Sequence, residues 1–174
     1  MTYLKLFIRE VPDWPVKGMT FYDITTLLQS PKLFKFIVDA MFDPFKDMKI
    51  DKVVAIEARG FLLGAPIAYK IGCGVSLVRK EGKLPYKTIK ESYEKEYGLD
   101  VLAMHEDTIK RGEKVLVVDD LIATGGTLKA TAKMVERLGG EVVGVTAIVD
   151  LPFLGGSKKL SEYKLNCLVC YDEE

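Results

Sequence analysis

The sequence predicts a single α/β domain, residues 1–174, with a central, mostly parallel sheet flanked by helices, and three observations predict it. The runs Val53–Ile56, Val115–Val118 and Val142–Val149 are uniformly apolar, as strands covered on both faces should be. Stretches with a one-sided apolar stripe stand between such runs, and strand–helix–strand alternation implies right-handed crossovers and parallel neighbours. The length of 174 residues and the 48% apolar share suit one domain that buries most of the surface its unfolded chain would expose.

Each element has its own reason. Ser30-Pro31 reads as a helix cap and first-turn proline, after which Leu33, Phe34, Ile37, Val38, Met41 and Phe42 make a core-facing stripe that stops at Pro44. Val53–Ile56 is a β-branched run that leads through Arg59-Gly60 into a helix over 61–71, closed by Gly72, and Val75–Val78 is the next strand. Between Lys80 and Tyr97 stand nine Lys or Glu residues besides Gly82 and Pro85, too polar for a core, and Gly98-Leu99-Asp100 turns the chain back into Val101–Met104. Residues of about 80–108 therefore read as a long mobile excursion with a hairpin, and such excursions are usually lids or binding loops. Val115–Val118 then feeds a polar turn and a helix with Leu128, Ala132, Val135 and Leu138 on one face, ended by Gly139-Gly140. Val142–Val149 and Leu165–Tyr171 supply the last strands.

Charge excludes some functions. Lys plus Arg (25) balances Asp plus Glu (25), so there is no global positive field for nucleic acid and no basic stripe for an anionic membrane, and any anion must be bound locally. Only five basic residues are arginine (Arg9, Arg59, Arg79, Arg111, Arg137), the side chain whose planar fork suits phosphate. Three cysteines in a chain opening MTYLKLF point to a reducing cytoplasm rather than a disulfide framework. No apolar run approaches the roughly 18 residues that span a bilayer.

The segment from Val115 through Asp119-Asp120-Leu121-Ile122-Ala123-Thr124-Gly125-Gly126-Thr127 carries the chemistry. Ligands of open parallel sheets bind beyond the carboxyl ends of strands, and this is such an end. Two glycines let the backbone curl so that N–H groups converge, Thr124 and Thr127 add hydroxyls, and the helix start adds partial positive charge: a cup for a phosphate monoester. Asp119 and Asp120 would repel a plain anion, so the ligand must also bring sugar hydroxyls, a divalent cation, or both. That combination specifies a phosphorylated ribose. A nucleotide-triphosphate loop would place Lys after its last glycine, whereas Thr127 and Leu128 follow Gly126. An Asp pair is most often only a charged strand end, but one that feeds a Thr-Gly-Gly-Thr turn reads as a site.

This segment resembles the phosphoribosyl-pyrophosphate (PRPP) signature of the type I phosphoribosyltransferases. Trp14-Pro15 with Lys17-Gly18, Phe21-Tyr22-Asp23-Ile24-Thr25, Glu57-Ala58-Arg59-Gly60-Phe61, Arg79–Pro85 and Ser92–Gly98 are similar, in order, to the adenine-using branch of that family. The resemblance implies the type I fold with a small base-binding hood over about 1–30 and a flexible catalytic hairpin over about 80–108. It implies transfer of the 5-phosphoribosyl group of PRPP to adenine with Mg²⁺, giving AMP and diphosphate, in a homodimer. By residue, it implies that Asp119 and Asp120 hold the ribose hydroxyls, with Mg²⁺ carried by PRPP near them through water, and that Ala123, Thr124, Gly125, Gly126 and Thr127 take the 5′-phosphate. Arg59, Arg79, Lys80 and Lys83 would meet the diphosphate, Arg79 by reaching across the dimer. Phe21 and Leu121 would cover the two faces of adenine while backbone near Thr20 reads its edge, and Glu96 and Tyr97 would act from the hairpin, Glu96 on the proton at purine N7. The sequence departs from the common pattern at Tyr22, which stands where many relatives have arginine, and in the tail after Asp150, where a family contact falls on Leu151.

Two alternatives stand beside this reading: a hypoxanthine, guanine or xanthine enzyme on the same fold, and a regulator that senses PRPP without transferring it. The second would want a helix-turn-helix or a basic arm, and neither is recognisable. Cys167-x-x-Cys170 has the spacing of half a zinc site, yet only Cys73 and His105 remain as partners, far off in sequence, so it reads as two small residues of the terminal strand. His105 has no evident partner and is assigned no catalysis, and Trp14 anchors the N-terminal segment.

Overall fold

The computed structural model describes residues 2–94 and 98–172. The chain begins with a 3₁₀ turn, Thr2–Phe7, followed by β1 (Arg9–Pro12) and β2 (Thr20–Asp23), which pair antiparallel as a separate two-stranded ribbon. The short helix α1 (Thr25–Gln29) leads to α2 (Pro31–Phe42), whose N-cap Ser30 accepts the Leu33 N–H at 3.4 Å, with proline in the first turn. Next come β3 (Lys52–Ile56), α3 (Arg59–Ile71), capped by left-handed Gly72, and β4 (Gly74–Lys80). The excursion forms β5 (Thr88–Glu94) and β6 (Leu99–His105), and the chain continues through β7 (Lys114–Val118), the two-residue β8 (Leu121–Ile122), α4 (Gly126–Arg137), β9 (Glu141–Asp150), the one-turn α5 (Gly156–Lys159) and β10 (Leu165–Cys170).

The main sheet runs β10-β9-β7-β3-β4-β6-β5, with β8 added beside β9. From β10 to β4 every pair is parallel, and the β4–β6 and β6–β5 pairs are antiparallel. The central strands β3, β7 and β9 are buried on both faces by period-two alternation: Leu116 and Val118 of β7 join the core under α1, α2 and α3, while Val115 and Val117 join the core under α4.

The hairpin is less detached than its composition suggests. β6 pairs with β4 through Val78↔Met104 and Lys80↔Leu102, so β5 and β6 extend the sheet as its edge. The physical reason is again alternation: Ile89 and Tyr93 pack on the second core, while Lys90 and Ser92 between them are exposed. Glu91, on the inward face, is held by Lys133 at 3.4 Å and Arg137 at 2.9 Å, both on α4. Among the described residues no helix is long and apolar enough to cross a membrane.

Candidate active site

The carboxyl ends of β3, β4 and β7 lie side by side, and the chain segments that leave them build the site. Beyond β7 come Asp119 and Asp120, then β8, then Ala123–Gly125 and the start of α4. Gly125 has φ of +73°, a left-handed conformation that favours glycine, and as N-cap it offers no side chain to the helix. The first N–H groups of α4 are thus left without a capping side chain beside a cavity of about 150 Å³ lined by Asp119 and residues 121–128. That is the arrangement an anion needs.

Both carboxylates are buried, and the Asp120 N–H donates to Asp119 Oδ1 at 2.9 Å. Burial, reinforced by the adjacent Asp120 charge, pushes the Asp119 carboxyl well above the usual carboxylate range. Donors arriving from a ligand would relieve that strain. Arg59, the first residue of α3, already supplies one charge: its Nε lies 2.6 Å from Asp120 Oδ2. The same guanidinium lies over the Phe21 ring, 5.0 Å from its centroid, and Trp14 meets Phe21 edge-on at 4.5 Å. Arg59 therefore spans from the carboxylate pair to the aromatic platform on the β1–β2 ribbon.

The other cations gather around Glu57, whose peptide bond to Ala58 is cis. Glu57 accepts from Arg79 Nη2 at 2.8 Å and from the Lys80 N–H at 3.1 Å, and the Arg79 hydrogen bond holds its carboxyl below its ordinary value despite partial burial. Arg79 Nη1 also donates to the Lys83 carbonyl at 3.1 Å, and the Lys80 ammonium reaches Asp100 at 3.5 Å. Arg59, Arg79, Lys80 and Lys83 thus stand on or beside two adjoining strand ends. Glu57 has no role in the motifs read from the sequence, although an acid two residues before Arg59 was the available signal.

Other sequence-derived residues fall as follows. Thr20 pairs with Pro12 in the ribbon, and Leu121 packs partly buried on the first core. Tyr22 points opposite to Phe21, buried against Tyr171 with ring centroids 3.9 Å apart, so its side chain belongs to the core. Leu151 is buried, and its N–H bonds the Ile122 carbonyl. His105 lies edge-on to Tyr86 at 6.2 Å, and the three cysteines are free thiols. Glu96 and Tyr97 lie outside the described residues. Among the described residues no group of three or more His, Cys, Asp or Glu could cage a metal ion.

Residues 23–169 match the family model described as phosphoribosyl transferase domain. An adenine phosphoribosyltransferase of Brachyspira hyodysenteriae is 54% identical over 168 residues, spanning 97% of this chain and 99% of the relative. The crystal structure of the adenine phosphoribosyltransferase of Rhodothermus marinus superposes with a TM-score of 0.93 at 46% identity, covering 97% of each chain. That of Saccharomyces cerevisiae, complexed with an imino-altritol bisphosphate and adenine, superposes with a TM-score of 0.90 at 37% identity, covering 96% of this chain and 97% of that one.

Proposed function

This chain belongs to the phosphoribosyl transferase family, in its adenine-using branch, and from that premise we infer how its site performs the reaction. The reaction joins adenine to the ribose of PRPP, giving AMP and diphosphate, a purine-salvage step. The observation that carries the assignment of roles is the buried Asp119-Asp120 pair leading straight into the uncapped, glycine-softened start of α4. Residues 123–127 take the 5′-phosphate on backbone N–H groups, and Asp119 and Asp120 accept from the ribose hydroxyls.

Adenine stacks on Phe21, with Leu121 toward its other face and the backbone near Thr20 reading its edge. The core position of Tyr22 supports a base site read by backbone rather than by the side chain at that position. To admit both substrates, Arg59 leaves Asp120 and the Phe21 ring and turns to the diphosphate. That pair is one-third exposed on the arginine side but only 11% on the Asp120 side, so its release is offset by ribose hydroxyls that take the place of the guanidinium on the buried carboxylate. The bond from ribose C1 to the diphosphate oxygen breaks, N9 of adenine bonds to C1, and positive charge on the ribose and negative charge on the leaving group develop together. Arg59, Arg79, Lys80 and Lys83 are aimed at the departing charge, where preorganised donors are most effective. By the family resemblance Glu96 would take the purine proton, and excluding water protects the charged ribose centre from hydrolysis.

The adjacent Asp119 and Asp120 carboxylates suit Mg²⁺, which is commonly held by one or two carboxylates together with substrate phosphates. Asp119 and Asp120 would hold it through water, and when bound it supplies neutralisation of the diphosphate charge.

A homodimer fits the surface. α3 covers β3 but leaves the same face of β4 bare, exposing Leu77 (40%) and Val75 next to Leu62 (53%) and Tyr69 (90%) of α3. Arg79 continues that exposed side of β4 toward a second copy. Free thiols and the expected reaction fit a reducing cytoplasm. A panel of bases with PRPP and Mg²⁺ tests the reading: AMP formation from adenine supports it, and turnover of an oxopurine with none of adenine overturns it. Sedimentation of the wild type against Leu77→Glu tests the dimer, a monomeric wild type being the adverse result.

A further inference from the structure

The phosphate loop has a neighbour that the motif does not include. Gly156, the first residue of α5, packs against Ala123–Gly125 with no side chain between the two backbones. A Cβ on Gly156 would press on the Ala123 carbonyl oxygen and lie 2.7 Å from the Gly125 nitrogen and 2.8 Å from Ile122 Cγ2. From the other side, a Cβ on Gly125 would lie 2.8 Å from the Gly156 oxygen. These separations are well inside the 3.4–4 Å of ordinary contact.

α5 is not free to retreat. Leu160, the residue after it, is fully buried in the second core, and the Leu160 N–H bonds the Gly156 carbonyl. At its other end the buried Asp150 carboxyl stands near the Ser157 hydroxyl, and Asp150 Oδ1 is buried with no hydrogen-bond partner. Asp150 itself ends β9 opposite Ile122 of β8, the residue that leads into the loop. The loop is thus held between its own strand and a one-turn helix fixed at both ends.

We propose that Gly156 is a positioning residue for 5′-phosphate binding, pressing Ala123–Gly125 into the curl that aims their N–H groups at the ligand, with Asp150 holding α5 in place behind it. The inference rests on the phosphate reading of residues 123–127. A group added here moves the donors rather than any atom that touches substrate. Misplacing binding groups by about 1 Å costs on the order of a hundredfold in well-aligned sites, and part of the shift is absorbed by α5.

The test is Gly156→Ala, with PRPP binding by calorimetry, KM for PRPP and for adenine, and thermal unfolding measured on the same samples. The expected result is a loss of PRPP affinity of at least tenfold, about 1.4 kcal/mol, with KM for adenine little changed. Asp150→Asn, which keeps the shape and removes the charge, is expected to weaken PRPP in the same direction by a smaller factor and serves if Gly156→Ala does not fold. Unchanged PRPP affinity in a folded variant overturns the proposal, as does a lowered melting temperature with both Michaelis constants intact. Failure of the wild type to bind PRPP would overturn the reading of the loop itself, whereas wild-type binding retained in the variants overturns the positioning role alone.

Discussion

Arg59→Ala is the sharpest perturbation of the site because this side chain touches both halves of it. In the free enzyme its Nε lies 2.6 Å from Asp120 Oδ2 and its guanidinium is 5.0 Å from the Phe21 centroid. On the proposed reading it turns to the diphosphate in the reaction, where removal of one donor to developing charge costs about 3–4 kcal/mol, a hundredfold or more in kcat. The ground-state contacts pull the other way. The ion pair, one-third exposed on the arginine side and 11% on the Asp120 side, neutralises a buried carboxylate, and its loss leaves Asp120 for ribose hydroxyls to satisfy and the Phe21 face open for adenine. The expected signature is therefore split: kcat falls at least about a hundredfold, while KM for adenine stays level or drops. Arg59→Lys keeps a charge without the planar fork and should fall between. Initial rates of AMP formation at varied adenine and PRPP, with Mg²⁺ constant, read both parameters. A kcat within a few-fold of wild type would refute the assignment, and a raised adenine KM with kcat preserved would place Arg59 in ground-state binding instead.

Three further outcomes follow from the same geometry. Asp119→Asn should raise the melting temperature, by about 2–4 °C for each kcal/mol relieved, because burial and the Asp120 charge disfavour its ionised form while an amide oxygen can still accept the Asp120 N–H. PRPP affinity should fall in that variant, and a lowered melting temperature would contradict the cause given for the raised pKa. Glu57 works in the opposite sense: the Arg79 hydrogen bond holds its carboxyl below the ordinary value for a glutamate, so the stability it contributes is present above that ordinary value and lost as pH falls through the depressed one. Urea titrations from pH 6 to pH 3 should therefore show a shallower acid limb for Glu57→Gln than for wild type, and identical limbs would remove Glu57 from the account. Gly144→Ala places a methyl against the buried Phe45 ring, with Cδ1 and Cζ at 2.9 Å, and should cost about 1–3 kcal/mol in denaturant titration; a neutral result would mean that the ring can move aside.

Legibility in the sequence followed how local each cause is. The helix after Ser30-Pro31, the strands at 53–56 and 115–118 and the glycine-ended helices needed only periodicity and capping, and they stand where those signals put them. The strand, turn and helix start over 115–127 were equally readable, since strand, acids, glycines and helix are contiguous. The hairpin was harder: nine Lys or Glu residues from Lys80 to Tyr97 outweighed the alternation that puts Ile89 and Tyr93, four residues apart, on one face, which is what lays β5 on the sheet edge. Long-range contacts left no local trace. Nothing around Gly156 announces that it fits under Gly125, and the Tyr22–Tyr171 pair joins residues from opposite ends of the chain.

The zero net charge acquires a local meaning once the pairs are in view. Three cations assigned to the diphosphate rest on acids: Arg59 on Asp120, Arg79 on Glu57 and Lys80 on Asp100. A site that gathered these charges without partners would raise their mutual repulsion before any substrate arrived, and a buried carboxylate pair without Arg59 would be costlier still. Pairing them in advance converts substrate binding into an exchange of partners, in which ribose hydroxyls replace a guanidinium on Asp120 and the released guanidinium meets phosphate. The exchange also explains why one strand end carries acids and its neighbours carry cations. Each set is needed by a different part of one ligand, and until that ligand arrives each neutralises the other.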